Sequence, residues 1–263
     1  GGGEAPEICG EILNQPTSLT RRMSPQTSLD GARLRERLAR ARVQLIFTPH
    51  AAGARDPLAA LVAAAPFVDI VQVRPKSPDA QPDPLRPGAP LERSSARECF
   101  EWCERVLALL APLGEGAPLV LVNDRLDVAR ALRERGVAGV HLGQDDTPPH
   151  IARELLGLEA LIGYSTHSLA QVVSAQDLPV DYLGFGPVWA SATKGYERGL
   201  GAHAVWIAQQ GCELPVFAIG GVTLERADEL VQEFGPARVA VSSAILAADD
   251  PAAAARALQE SLT

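Results

Sequence analysis

The feature that most constrains the fold is a repeated beat. Eight short apolar runs occur along the chain: VQLIF (43–47), VDIVQV (68–73), PLVLV (118–122), VAGVHL (137–142), ALIGY (160–164), VDYLGF (180–185), LPVFAI (214–219) and ARVAV (237–241). They are nearly continuous rather than cleanly alternating, as expected of parallel strands buried on both faces. Each is followed by a helical stretch with one apolar face, from DPLAALVAAA (56–65) to DPAAAARALQESL (250–262). Eight strand–helix units in roughly 220 residues have the size and order of a closed barrel. The expectation is therefore an α/β chain with a single (β/α)8 TIM barrel over residues 43–263, in preference to an open doubly wound sheet. Asp30 is placed to cap an extra helix over 30–42, and residues 1–29, polar and without a period, read as a flexible head.

Composition narrows the function classes. The chain has 263 residues, and 24 Lys and Arg against 32 Asp and Glu leave a net charge of −8. That balance, with 5% aromatics and no interleaving of aromatic and basic residues, argues against nucleic acid as a partner. No apolar run reaches the roughly 18 residues that a membrane-spanning helix needs. The opening GGGEAPEICGEILNQP has no basic stretch leading into an apolar one, so a cytoplasmic enzyme is expected. Four scattered cysteines do not make a disulfide framework, and Cys99 and Cys103, four apart beside Trp102, read as helix packing.

Barrel active sites form at the carboxyl ends of the strands, and reactive side chains gather there. After strand two, alternation puts Gln72, Arg74 and Lys76 on one side; two cations facing inward need a ligand with negative charge, unless they merely edge a loop. Strand three ends in Asn123 and Asp124, and strand four in His141, Gly143, Gln144, Asp145 and Asp146. Two carboxylates facing a basic cluster suit Mg²⁺ bridging to phosphate. Asp124 and Asp146 form the expected pair, with Asp145 as the alternative to Asp146; helix capping is the competing role for all three. His141 is expected at the entry to the turn, orienting the loop, and His50 as a local surface residue.

After strand five, Ser165, Thr166 and His167 are potential ligand contacts, while Ser168 equally suits a helix cap. The segment after strand six offers close-approach glycines and the donors Ser191, Thr193 and Lys194, without P-loop spacing. Gly220 and Gly221 after strand seven, with Ser242 and Ser243 after strand eight, fit the phosphate site often built between those strands. The stretch 77–94 holds five prolines and is too long for a simple turn; it is either a lid or an inert insertion.

Seven segments in order, QVRPK (72–76), VNDRLDVA (122–129), GVHLGQDD (139–146), GYSTHS (163–168), DYLGFGPVWASATK (181–194), FAIGGV (217–222) and VAVSSAI (239–245), resemble the thiamine-phosphate synthase family over about residues 43–262. That resemblance implies coupling of hydroxymethylpyrimidine diphosphate to hydroxyethylthiazole phosphate, with release of diphosphate. It implies that Gln72 contacts the pyrimidine and that Arg74, Lys76, Asn123 and Lys194 hold the diphosphate. It further implies that Asp124 and Asp146 ligate Mg²⁺ and that Ser165 lies beside the pyrimidine or leaving group. Ser191 and Thr193 would stand on the thiazole-phosphate side, and Gly220, Gly221, Ser242 and Ser243 would cradle that phosphate. The implied partners are small phosphorylated molecules, and a homo-oligomer is compatible with the sequence.

Three departures stand out. Phe47, Thr48, Pro49 and His50 end strand one where the family commonly has Thr-Asp; Pro75 separates Arg74 from Lys76; and Ser191 replaces a more usual threonine. Two other readings remain. A thiazole tautomerase shares the barrel and phosphate site but needs no diphosphate and Mg²⁺ apparatus, and a silent sensor would bind thiazole phosphate without turnover.

Overall fold

The computed structural model describes residues 30–75, 94–189 and 199–262. The head (1–29), nearly all of the proline-rich stretch, and Lys76, Ser191, Thr193 and Lys194 lie outside the described residues. The strands are β1 (Val43–Phe47), β2 (Ile70–Val73), β3 (Leu119–Asn123), β4 (Val137–Leu142), β5 (Leu161–Thr166), β6 (Tyr182–Phe185), β7 (Val216–Ile219) and β8 (Val239–Val241). All pair in parallel with their neighbours in sequence, and β8 returns to β1, which closes the (β/α)8 barrel.

The helices begin where short polar side chains can take up their free N–H groups. Asp56 caps α2 (Pro57–Ala64), Ser95 caps α3 (Ala96–Leu110), Ser168 caps α6 (Leu169–Ala175), Thr223 caps α8 (Leu224–Phe234) and Asp250 caps α10 (Pro251–Ser261). Ser168 is thus the helix cap that the sequence left open. Among the described residues, four helices start without a side-chain cap: α4 (Leu126–Leu132), α5 (Pro149–Leu156), α7 (Ala202–Gln210) and α9 (Ser243–Leu246). The capping role weighed for Asp124, Asp145 and Asp146 is therefore not taken up, since α4 and α5 start at Arg125 and Pro148 without a capping bond. Cys99 and Cys103 are buried on α3, as packing residues.

Burial divides the apolar residues into two cores. One lies between strands and helices and takes outward residues such as Leu45, Val71, Val122 and Phe185. The other fills the lower half of the barrel interior with Ile70, Leu119, Leu161 and Phe217, capped from below by Leu34 and Leu38 of α1 (Gly31–Arg40). Helix α1 is held across the amino ends of the strands by polar ties. Arg35 Nε donates to Asp181 at 2.8 Å and Arg35 Nη2 to the Leu158 carbonyl at 2.7 Å, while Arg238 Nη2 donates to the Ala39 carbonyl at 2.9 Å.

Asp181 is the centre of that lower rim. Its carboxylate also takes Arg153 Nη2 and the backbone N–H of Ile162, each at 2.7 Å. The Asp181 and Arg153 side chains are only 7% and 13% exposed, so removing one partner strands a charge in poor solvent. Replacing Asp181 by Ala is expected to cost about 3 kcal/mol of unfolding free energy in a urea titration. Leu158→Ala, at an exposed position beside it, should change stability by less than about 0.5 kcal/mol.

Candidate active site

Above the apolar half, the barrel interior turns polar. Gln44 on β1, Gln72 on β2, His141 on β4 and Tyr182 on β6 are 1%, 3%, 6% and 0% exposed. Buried polar groups must be bonded, and these are bonded to one another. Gln44 Nε2 donates to Gln72 Oε1 at 2.6 Å and to the Tyr182 hydroxyl at 3.3 Å. Gln72 Nε2 donates to Asn123 Oδ1 at 2.5 Å. The Tyr182 hydroxyl lies 2.9 Å from His141 Nδ1, and His141 Nε2 lies 2.9 Å from Ser165 Oγ. Burial pushes the Tyr182 phenol well above its usual range, so it remains a protonated donor.

The His141–Tyr182 bond crosses a strand. His141 pairs with Gly163 of β5, and Gly163 pairs with Tyr182 of β6, so the three residues form one row of the sheet. A Cβ on Gly163 would stand 2.2 Å from Tyr182 Cζ and 2.4 Å from His141 Nδ1. Only an absent side chain lets the two rings meet.

This layer floors a cavity of about 390 Å³ at the carboxyl ends of the strands, within the range of small-molecule sites. Gln72, Arg74, Asn123, Ser165, Gly220, Gly221, Ser242 and Ser243, all expected from the sequence, line it together. Gly220 and Gly221 have φ of +94° and +68°, in the left-handed region that favours glycine. The Ser242 Oγ is buried and has no hydrogen-bond partner among the described residues, so it can bond to a ligand. Arg226 Nη1 donates to the Gly221 carbonyl, and its guanidinium lies 5.6 Å over the Trp189 ring, so one side chain links the ends of β6 and β7.

Asp124 and Asp146 do not belong to the cavity wall. Asp124 follows β3 directly with φ +60°, an uncommon conformation for a residue with a side chain, while its N–H donates to the His141 carbonyl at 2.8 Å. Asp146 lies in the turn after β4, where its Oδ2 accepts the Gly143 N–H at 2.7 Å. The carboxylates of Asp145 and Asp146 are felt at Tyr164, whose phenol is raised first by burial and then by these two charges.

One reading of the sequence needs correction. His141 does not orient a loop: β4 stays in register with β5 through Leu142, so the ring points into the barrel and joins the buried layer. His50 is exposed, as expected, and the short 3-10 helix after β1 also brings it into the cavity lining, where buried Thr48 stands. Gln44, Gly163 and Tyr182 were not singled out at all. Their available signal was a Gln and a Tyr on the inward side of otherwise apolar strands, with a Gly level with the inward histidine.

A sequence model described as thiamine monophosphate synthase matches residues 43–245. The chain belongs to this family. A thiamine-phosphate synthase of Mycobacterium sp. (strain KMS) is 42% identical over 200 residues, covering 74% of this chain and 80% of the relative. One from Synechococcus sp. (strain CC9605) is 38% identical over 235 residues, covering 88% of this chain and 58% of the relative. Another, from Synechococcus sp. (strain WH7803), is 48% identical over 145 residues, covering 55% of this chain and 40% of the relative. The chain thus spans about half the length of the Synechococcus family members it matches. Among solved structures, the thiamine phosphate pyrophosphorylase from Pyrococcus furiosus superposes with a TM-score of 0.66 at 26% identity, covering 87% of this chain and 97% of that one. A 3-hexulose-6-phosphate synthase shares the fold at a TM-score of 0.56 and 17% identity.

The row through Gly163 gives a test that is independent of any substrate. Gly163→Ala should destabilise the chain by about 1–3 kcal/mol in denaturant titration, because the added methyl collides with two locked rings. Gly116→Ala, where a Cβ meets nothing within 4 Å, should stay within about 0.5 kcal/mol of wild type.

Proposed function

We propose that the chain is a thiamine-phosphate synthase, joining hydroxymethylpyrimidine diphosphate to hydroxyethylthiazole phosphate with release of diphosphate. The observation that carries this reading is the presence of two anion-receiving ends in one cavity. On one side stand Arg74 and Asn123; on the other stand the left-handed Gly220 and Gly221 with the buried Ser242 hydroxyl, which has no partner among the described residues. A tautomerase acting on one phosphorylated thiazole has use for only the second. Family membership and the Mycobacterium and Pyrococcus relatives support the same assignment.

In this reading Gln72 recognises the pyrimidine, while Arg74 and Asn123, helped by Lys76 and Lys194, hold the diphosphate. Ser165 donates beside the pyrimidine or the leaving oxygen. Gly220, Gly221, Ser242 and Ser243 receive the thiazole phosphate, with Ser191 and Thr193 on the same side. The bond from the pyrimidine methylene to the diphosphate oxygen breaks, both electrons leaving with the diphosphate. The ring amino group shares the positive charge left on the methylene, and the thiazole nitrogen then forms the new C–N bond. No protein nucleophile takes part; the cavity contributes juxtaposition and charge stabilisation.

Asp124 and Asp146 are the residues that would hold Mg²⁺. They fit such an ion as a pair of hard oxygen donors, and among the described residues no set of three or more His, Cys, Asp and Glu forms a protein cage. Mg²⁺ typically takes one or two carboxylates and completes its shell with water and substrate phosphate. When bound, the ion offsets charge that develops on the departing diphosphate. The left-handed backbone of Asp124 suits Asp or Asn better than most residues.

The test is a turnover assay with both substrates, with and without Mg²⁺. Mg²⁺-dependent diphosphate release with thiamine phosphate formation is expected, and no product from folded wild type would sink the reading. Asp124→Asn, which keeps the left-handed backbone, should lower kcat by about 10²-fold without changing the melting temperature. Ser242→Ala should raise KM for the thiazole phosphate about tenfold with little change in kcat, since it removes a hydrogen bond to a charged group.

A further inference from the structure

Gln44 and Tyr182 lie beneath the cavity and are not part of its lining, yet both bond to residues that are. We propose that Gln44 is a positioning residue that sets the direction of two buried hydrogen-bond chains, so that Asn123 and Ser165 both present donors to the substrate. This rests on the synthase reading above and names what orients two of its contacts.

Direction follows from what each group can do. An amide nitrogen only donates, so Gln44 Nε2 donates both to Gln72 Oε1 at 2.6 Å and to the Tyr182 oxygen at 3.3 Å. Along the first chain, Gln72 Nε2 donates to Asn123 Oδ1 at 2.5 Å, which leaves the Asn123 amide hydrogens for an acceptor in the cavity. Along the second, Gln44 offers the Tyr182 hydroxyl only a donor, so the phenolic hydrogen goes to its other described neighbour, His141 Nδ1, at 2.9 Å. His141 then carries its proton on Nε2 and donates it to Ser165 Oγ at 2.9 Å. The Ser165 hydroxyl hydrogen is what remains, and Ser165 lines the cavity.

The alternative is equally definite. Turning the Gln44 amide over would set its oxygen against Gln72 Oε1 and make the Tyr182 hydroxyl a donor to it. Gln72 and Asn123 would have to turn too, His141 would move its proton to Nδ1, and Ser165 would spend its hydrogen on Nε2. Both chains would then end in acceptors, which suits no anion. Asn123 and Ser165 are therefore coupled through one amide, and a diphosphate selects the donor state.

The test combines a spectroscopic readout with a kinetic cycle on the full chain. Imidazole ¹⁵N shifts, with the His141 signal assigned by its loss in His141→Gln, should show the Nε2–H tautomer in wild type. In Tyr182→Phe, which removes one oxygen, that preference should be lost; Gln44→Leu should do the same if it folds. In turnover, Ser165→Ala should lower kcat at least tenfold in wild type but less than threefold in Tyr182→Phe, because the donor it removes is no longer directed. A merely structural role for Tyr182 would make the two losses multiply. Multiplying losses, or an Nδ1–H tautomer in wild type, would overturn the proposal. If both substrates give no product, the synthase reading fails while the tautomer still decides the direction of the chain.

Discussion

A polar group buried inside a barrel must find its partner among the neighbouring strands, and that requirement organises the upper half of this molecule. Gln44, Gln72, Asn123, His141, Tyr182 and Ser165 come from six different strands and satisfy one another in a single layer. Leaving any member unpaired costs about 1–3 kcal/mol, so the layer tends to form whole or not at all. It stands on an apolar layer whose Phe217 meets the Tyr182 ring edge-on at 5.5 Å. The dry lower half fixes the positions of the rings, and the polar upper half turns those positions into hydrogen bonds.

The opposite wall is built differently. Around Gly220 and Gly221 it is backbone rather than side chain that faces the cavity, and the left-handed φ values aim it. Arg226 holds that backbone by its carbonyl while stacking on Trp189. The N–H of Trp189 in turn donates to the Gly220 carbonyl at 3.1 Å. The end of β6 is thereby tied to the start of α8, and the two ends of the cavity are built differently: one is a network of side chains, the other a braced turn.

The sequence made some of this legible because strand ends are local features. Period-two alternation is enough to place Gln72 and Arg74 on one side, and Gly-Gly and Ser-Ser at the ends of β7 and β8 announce themselves. Caps at Asp30, Ser168 and Thr223 follow from neighbours three or fewer residues away. The polar layer was hidden for the opposite reason. Gln44 and Tyr182 are 138 residues apart in the chain, and each sits in a run that reads as an ordinary apolar strand. A glycine in a strand looks like a weakness until the residues level with it on both sides are known. His141 was misplaced because a residue near the end of a strand is assigned to the turn or the interior only by register with the next strand, which is a tertiary fact.

Helix α1 has a consequence for traffic. With Leu34 and Leu38 pressed against Leu119, Leu161 and Phe217, the amino end of the barrel is stoppered. The cavity is a blind well whose floor is the polar layer. Whatever occupies such a well enters and leaves at the carboxyl ends of the strands, and that restriction is set by the plug at the far end of the barrel, remote from the cavity lining.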